Sequence, residues 1–126
     1  MVDEMLQLKV WAVVGASDDE SKFGYKIPKR LREKGYTVYG INPKGKAIDG
    51  IEVYPLISDL PQKPDVVNMI VNPKISLSTL DQIKEAGIEN VWFQPGSFDK
   101  EVLDKARALG LNIELNHCAY VELNNI

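Results

Sequence analysis

The chain has 126 residues, 44% hydrophobic and 26% charged, which is the composition of one globular domain able to cover both faces of a sheet. A formal net charge of −3 at pH 7 argues against general nucleic-acid binding, which needs a strong basic excess to displace counterions. No apolar run approaches the roughly 20 residues that span a bilayer. The opening Met1-Val2-Asp3-Glu4 lacks the basic and apolar regions of a signal peptide, and one cysteine beside one histidine supplies neither a disulfide nor a metal site. The expectation is a cytoplasmic protein with no membrane, metal or nucleic-acid partner.

Strand-like and helix-like segments alternate along the whole chain, without a linker or repeat. Leu8 to Gly15 is an apolar run of the kind buried on both faces of a parallel sheet. Gly24 to Lys34 is a basic segment with Tyr25, Ile27, Pro28 and Leu31 on its apolar side and Gly35 as a stop. Because proline is tolerated only in a first helical turn, regular helix is expected from about Ile27. Tyr36 to Ile41 is the second strand, and a short strand-like piece follows around Ile51 to Tyr54. A brief helical turn is read at Ser58 to Leu60, then a buried strand at Val66 to Val71 and a helix from Lys74 to Ala86. Val91 to Phe93 is strand, Phe98 to Leu109 helix, Leu111 to Leu115 the last main strand, and Ala119 to Asn124 a weakly signalled helix. Right-handed crossovers then imply an α/β fold: a Rossmann-like, doubly wound parallel sheet in three layers, residues 1–126 forming a single domain.

Ligands in such folds sit at the carboxyl ends of the strands, where strand order reverses. The loops that matter are therefore 15–24, 42–50, 72–74, 94–97 and 116–119. Gly15-Ala16-Ser17 is a small-residue turn that lets backbone approach a phosphate, and the helix after it offers free N–H groups. The G-x-G-x-x-G spacing is absent, since no second glycine occurs until Gly24, but Lys22 and Phe23 lie in an expanded loop where a cation can meet a phosphate. The second strand ends in Asn42-Pro43-Lys44 rather than in the acid that reads the ribose hydroxyls of NAD. Lys44 and Lys46 flank Gly45 and suit an adenosine 3′-phosphate or a diphosphate, as in coenzyme A; NADP, with its own ribose phosphate, fits the same loop.

Val71-Asn72-Pro73-Lys74 repeats the strand-Asn-Pro-Lys corner, and the two corners are expected to border one cleft. Gln94 and Gly96 follow the strand carrying Trp92 and Phe93 and suit the mouth of that cleft, the two aromatics being assigned to the core. His117-Cys118 offers an imidazole beside a thiol, but neighbours on an extended chain point opposite ways and no third group is evident to orient the histidine. No catalytic residue is therefore assigned. A reversible disulfide between Cys118 and a ligand thiol is the milder reading.

In these motifs, together with Gly35-Tyr36-Thr37-Val38, the chain from Val10 to Cys118 resembles the small stand-alone CoA-binding domain family, which is similar to the N-terminal domain of the succinyl-CoA synthetase α subunit. The resemblance implies CoA held at the carboxyl edge of the sheet. Gly15, Ala16 and Ser17 would form the phosphate turn, and Asn42, Pro43 and Lys44 the nucleotide side. Val71, Asn72, Pro73, Gln94 and Gly96 would continue along the ligand. In the synthetase the phosphorylated histidine belongs to a second domain, so His117 does not inherit its role. The reading is a CoA or acyl-CoA binding protein without catalysis of its own, serving a partner enzyme or acting as a homodimer. An NADP-binding oxidoreductase or redox sensor, and a regulatory or scaffold subunit with a vestigial nucleotide site, are the alternatives the residues leave open.

Overall fold

In the computed structural model, which describes residues 1–126, the first apolar run forms strand β1, Val10–Val14. Alternate side chains of β1 enter opposite cores: Ala12 and Val14 on one face, Trp11 and Val13 on the other. This two-sided burial is why the run shows no polar alternation. The remaining strands are β2 (Thr37–Ile41), β3 (Val53–Tyr54), β4 (Val66–Met69), β5 (Asn90–Phe93) and β6 (Asn112–Glu114). They form a six-stranded sheet in the order β3-β2-β1-β4-β5-β6, every pairing parallel. The expected Rossmann-like doubly wound sheet is the one observed.

Helices α1 (Val2–Gln7), α2 (Phe23–Glu33) and α5 (Ala119–Asn124) supply Met5, Leu6, Ile27, Leu31, Ala119 and Leu123 to one core, around Trp11 and Trp92. Helices α3 (Pro73–Glu85) and α4 (Lys100–Ala108), with a short 3₁₀ turn at Ile57–Asp59, close the other core with Leu80, Ile83, Val102, Ala106 and Ile57. No helix is long and apolar enough to cross a membrane. Trp11 is fully buried yet satisfied, its indole N–H donating to the Leu8 carbonyl at 2.8 Å. Tyr36 spans the same core and donates its hydroxyl to the Leu6 carbonyl, tying α1 to the start of β2. Helix α1 lay outside the sequence reading, although Val2, Met5 and Leu6 have the spacing of one helical face.

The start of α2 corrects the expectation built on Pro28. The helix begins at Phe23, and Pro28 lies inside it. A proline there lacks the N–H that would bond the carbonyl four residues back. That carbonyl belongs to Gly24, and it accepts instead from the N–H of Ser17 at 3.1 Å. The helix is thus left with an acceptor aimed at the loop it follows.

Candidate functional site

Order reverses between β1 and β4: β1 leads through α2 to β2 on one side, and β4 lies on the other. The 15–17 turn sits in that gap. Gly15 has φ of 101°, a left-handed value that favours glycine, and a side chain there would meet the Ile70 carbonyl and Val71 Cγ1, each at 2.9 Å. On its other side Gly15 faces Gly24, where an added Cβ would lie 2.2 Å from the Gly15 carbonyl oxygen. The turn is therefore clamped between α2 and the end of β4, and Gly24 performs the close-packing task.

The three turn amides are already used inside the protein. Gly15 and Ala16 donate to the Ile41 carbonyl at 2.9 and 3.3 Å, and Ser17 donates to Gly24. The Ser17 hydroxyl oxygen accepts from the Asp19 N–H at 3.1 Å, which leaves its own O–H to donate. Asp19 in turn accepts from the Ser21 hydroxyl at 2.6 Å and the Ser21 N–H at 3.0 Å. These bonds, the hydroxyl's first, hold the Asp19 carboxyl below its usual range. The loop is thus self-braced, and the N–H groups of Asp18, Phe23 and Gly24 have no protein acceptor. No side chain caps the α2 N-terminus.

Beside the turn lies a cleft of roughly 430 Å³, walled by Ala16, Ser17 and Asp18 on one side and by Asn42 to Lys44 and Lys46 to Ile48 on the other. Asn42 builds this corner. Its Nδ2 donates to the Ala16 carbonyl at 3.1 Å, and its Oδ1 accepts from the N–H groups of Lys44 and Gly45 at 2.9 Å each. One amide thus joins the end of β2 to the 15–17 turn and sets the path on which Lys44 leaves the sheet. A carboxylate in its place would lack the donor to Ala16.

A second cleft, roughly 200 Å³, lies across the Asn42-Pro43 ridge, between Val14, Gly15, Ile41, Pro55, Val71 and the α3 residues Ile75, Ser78, Thr79 and Gln82. The first Asn-Pro corner and Val71 therefore do border one cleft. The second corner plays a different part: Asn72 Oδ1 accepts from the Ile75 N–H at 3.0 Å as the α3 N-cap, and Pro73 occupies the first turn. Asn72, Pro73 and Lys74 line neither cleft, and neither do Lys22 and Phe23. Phe23 packs on Tyr120 of α5 with ring centroids 5.9 Å apart.

Gln94, Gly96 and Cys118 form a separate group near the ends of β5 and β6, and line neither cleft. Gln94 is buried; its Oε1 accepts from the Ala119 N–H at 2.7 Å and its Nε2 donates to Cys118 Sγ at 3.3 Å. Gly96 occupies the turn beyond, with φ of 89°. The histidine does have an orienting group, contrary to the sequence reading: His117 Nδ1 lies 2.8 Å from Glu114 Oε2. That hydrogen bond raises the His117 pKa above the usual imidazole value. Glu114 sits three residues earlier on β6, a spacing the sequence displayed without showing that the chain turns back there.

A doubly wound parallel sheet with a clamped small-residue turn in the gap of strand reversal, and two lysines on a cleft at its β2 side, is the arrangement of a nucleotide-binding α/β domain. The comparisons with known proteins narrow the class. A family model described as "CoA binding domain" matches residues 9–124, and the chain belongs to that family. It is 28% identical to the α subunit of acetate–CoA ligase (ADP-forming) II from Pyrococcus furiosus, over 94% of this chain and 28% of that subunit. It is 27% identical to acetate–CoA ligase (ADP-forming) I from Archaeoglobus fulgidus, over 93% of this chain and 18% of the ligase. The chain thus spans less than a third of the length of these curated relatives. Among solved structures, a hypothetical protein from Pyrococcus horikoshii OT3 superposes with a TM-score of 0.92 at 35% identity, covering 98% of this chain and 88% of that one.

Proposed function

We propose that the chain binds coenzyme A or an acyl-CoA at the carboxyl edge of its sheet and performs no chemistry itself. The observation that carries this reading is the convergence of Ser17, Lys44 and Lys46 on one cleft at the carboxyl ends of β1 and β2, beside the point of strand reversal, in a member of the CoA-binding domain family. The diphosphate lies over Gly15, Ala16 and Ser17, taking the Ser17 hydroxyl and the unpaired N–H of Asp18. Lys44 and Lys46 meet the ribose phosphate, as mobile point charges suited to a dianion. Asn42 and Pro43 separate the nucleotide from the second cleft, where Val71 supplies apolar wall. The pantetheine arm crosses the ends of β4 and β5 toward the Gln94–Gly96 turn and Cys118, a span of about 10 Å at the usual strand spacing.

A module of this kind presents CoA to an enzyme. The likeness to acetate–CoA ligase chains and subunits supports an enzyme that uses the bound CoA. Isothermal titration with CoA, dephospho-CoA and NADPH tests the reading. CoA is expected to bind tightest, and Lys44→Ala to weaken CoA more than dephospho-CoA. Equal losses on both ligands would remove Lys44 from the ribose phosphate, and uptake of NADPH without CoA would overturn the ligand itself.

A further inference from the structure

The loop that carries the two lysines is fastened at both ends, by different devices. Asn42 holds its first part, bonding the Lys44 and Gly45 N–H groups. Its far part is held from helix α2. The Tyr25 hydroxyl donates to Asp49 Oδ2, and Arg32 Nη1 donates to the Asp49 carbonyl at 3.0 Å. Asp49 stands at φ of 51°, unusual for a residue with a side chain, and the turn it occupies is closed by a bridge between Ile48 and Ile51. Gly50 beside it leaves room for the guanidinium, since a Cβ there would come within 2.8 Å of Arg32 Nη1. The Tyr25 hydroxyl is held as a donor: its hydrogen bond to Asp49 pushes its pKa up to about 12.

Between α2 and this turn lies a cavity of roughly 120 Å³, lined on its apolar side by Pro28, Ile51 and Val53. Ala16 and Ile48 line both this cavity and the lysine cleft, so they form the partition between the two. Asp49 lines only the cavity, which places its carboxylate on the helix side of the partition and away from an incoming anion. The segment carrying Lys46 and Ala47 lies between the two fastenings, two residues before the Ile48 wall.

From this geometry we infer that Tyr25 and Arg32 are positioning residues for Lys46: by fixing Asp49 they set the cleft wall and hold Lys46 over a bound phosphate. This rests on the reading of the 430 Å³ cleft as the nucleotide site. Lys44, secured by Asn42, is independent of the latch. The two cations that look equivalent in sequence are therefore held by separate mechanisms, and only one is coupled to α2.

A double-mutant cycle tests the assignment, with CoA affinity measured by titration. Tyr25→Phe removes one exposed hydroxyl and is expected to weaken CoA binding about threefold to tenfold. In a Lys46→Ala background the same change is expected to have no further effect, whereas with Lys44→Ala it is expected to add in full. Amide hydrogen exchange of the Tyr25→Phe protein should quicken at residues 46–51 and not at 42–45. A Tyr25→Phe loss of equal size in both lysine backgrounds, or no loss at all, would overturn the inference. If Lys44→Ala weakens binding and Lys46→Ala does not, the latch assignment fails alone; if neither weakens it, the cleft reading fails as well.

Discussion

Replacing Gly24 by alanine is the most exacting perturbation available on this fold. An added Cβ would lie 2.2 Å from the Gly15 carbonyl oxygen and 3.3 Å from Ser17 Cβ, whereas real Cβ contacts essentially never fall under 3.0 Å. The two backbones would have to part by nearly an ångström. Gly15 has no space to retreat, because its other side lies against Ile70 and Val71. Overpacking of this kind costs about 1–3 kcal/mol, against which alanine recovers up to about 1 kcal/mol of helix propensity. The net expectation is a destabilisation of about 1–2 kcal/mol, or a melting temperature lower by about 4–8 °C for a domain of this size. The larger effect should fall on ligand binding. Separating α2 from the turn breaks the 3.1 Å bond between Ser17 and Gly24 and tilts the open N–H groups away from the turn. Differential scanning calorimetry and CoA titration on the same preparation provide the check, with CoA affinity expected to fall at least about tenfold by loss of orientation. A Gly24→Ala protein that melts and binds like the parent would refute the idea that the turn is clamped.

Other changes probe separate parts of the molecule. Asn42→Asp keeps an acceptor for the Lys44 and Gly45 N–H groups but loses the donor to Ala16 and adds negative charge beside the cleft; CoA affinity should fall about tenfold or more in titration. Gln94→Leu strips the Ala119 N–H and Cys118 Sγ of their partner, and chemical denaturation should show a loss of about 1–3 kcal/mol together with faster reaction of Cys118 with a thiol reagent. His117 should titrate above 6.5 by nuclear magnetic resonance and fall back when Glu114 becomes glutamine. Because its folded pKa is raised, the stability this pair contributes is fully present below 6.5 and is lost as pH rises through the folded pKa. A flat stability profile across that range would refute the linkage.

Much of the architecture was legible because burial on both faces of the sheet leaves a strong mark. The run at Val10–Val14 is continuously apolar, Val66–Met69 is interrupted only by the buried Asn68, and the glycines at 35, 87 and 110 each follow a helix. Element ends were less legible. The strand expected to reach Val71 leaves the sheet after Met69, where the chain must pass the turn at Gly15. The helix expected from Phe98 begins at Lys100, because Asp99 caps it by accepting from the Val102 N–H. Of the residues singled out in the sequence, Gly15, Ala16, Ser17, Asn42, Pro43 and Lys44 lie together on the walls of adjoining clefts. The sequence could not separate the two Asn-Pro corners, since a helix cap and a loop brace use the same asparagine oxygen in the same way. Nor could it show that Asp49, seven residues past Asn42, is held by a tyrosine on the preceding helix.

The missing G-x-G-x-x-G pattern is informative for the same reason. That pattern places glycines where a turn must bend, where backbone must approach a phosphate, and where a helix must pack closely on a strand. Here the bend and the close packing fall to Gly15 and Gly24, eight intervening residues apart in sequence yet touching in space. The longer loop between them would be loose without help, and the help is local. Ser17, Asp19 and Ser21 brace it from within, and Pro28 frees the Gly24 carbonyl to hold Ser17 from the helix. The proline that looks like a helix boundary is therefore part of the loop's support. A search for such sites in related sequences should look for a proline four residues after the close-packing glycine, because that spacing withdraws the one donor that competes for the carbonyl.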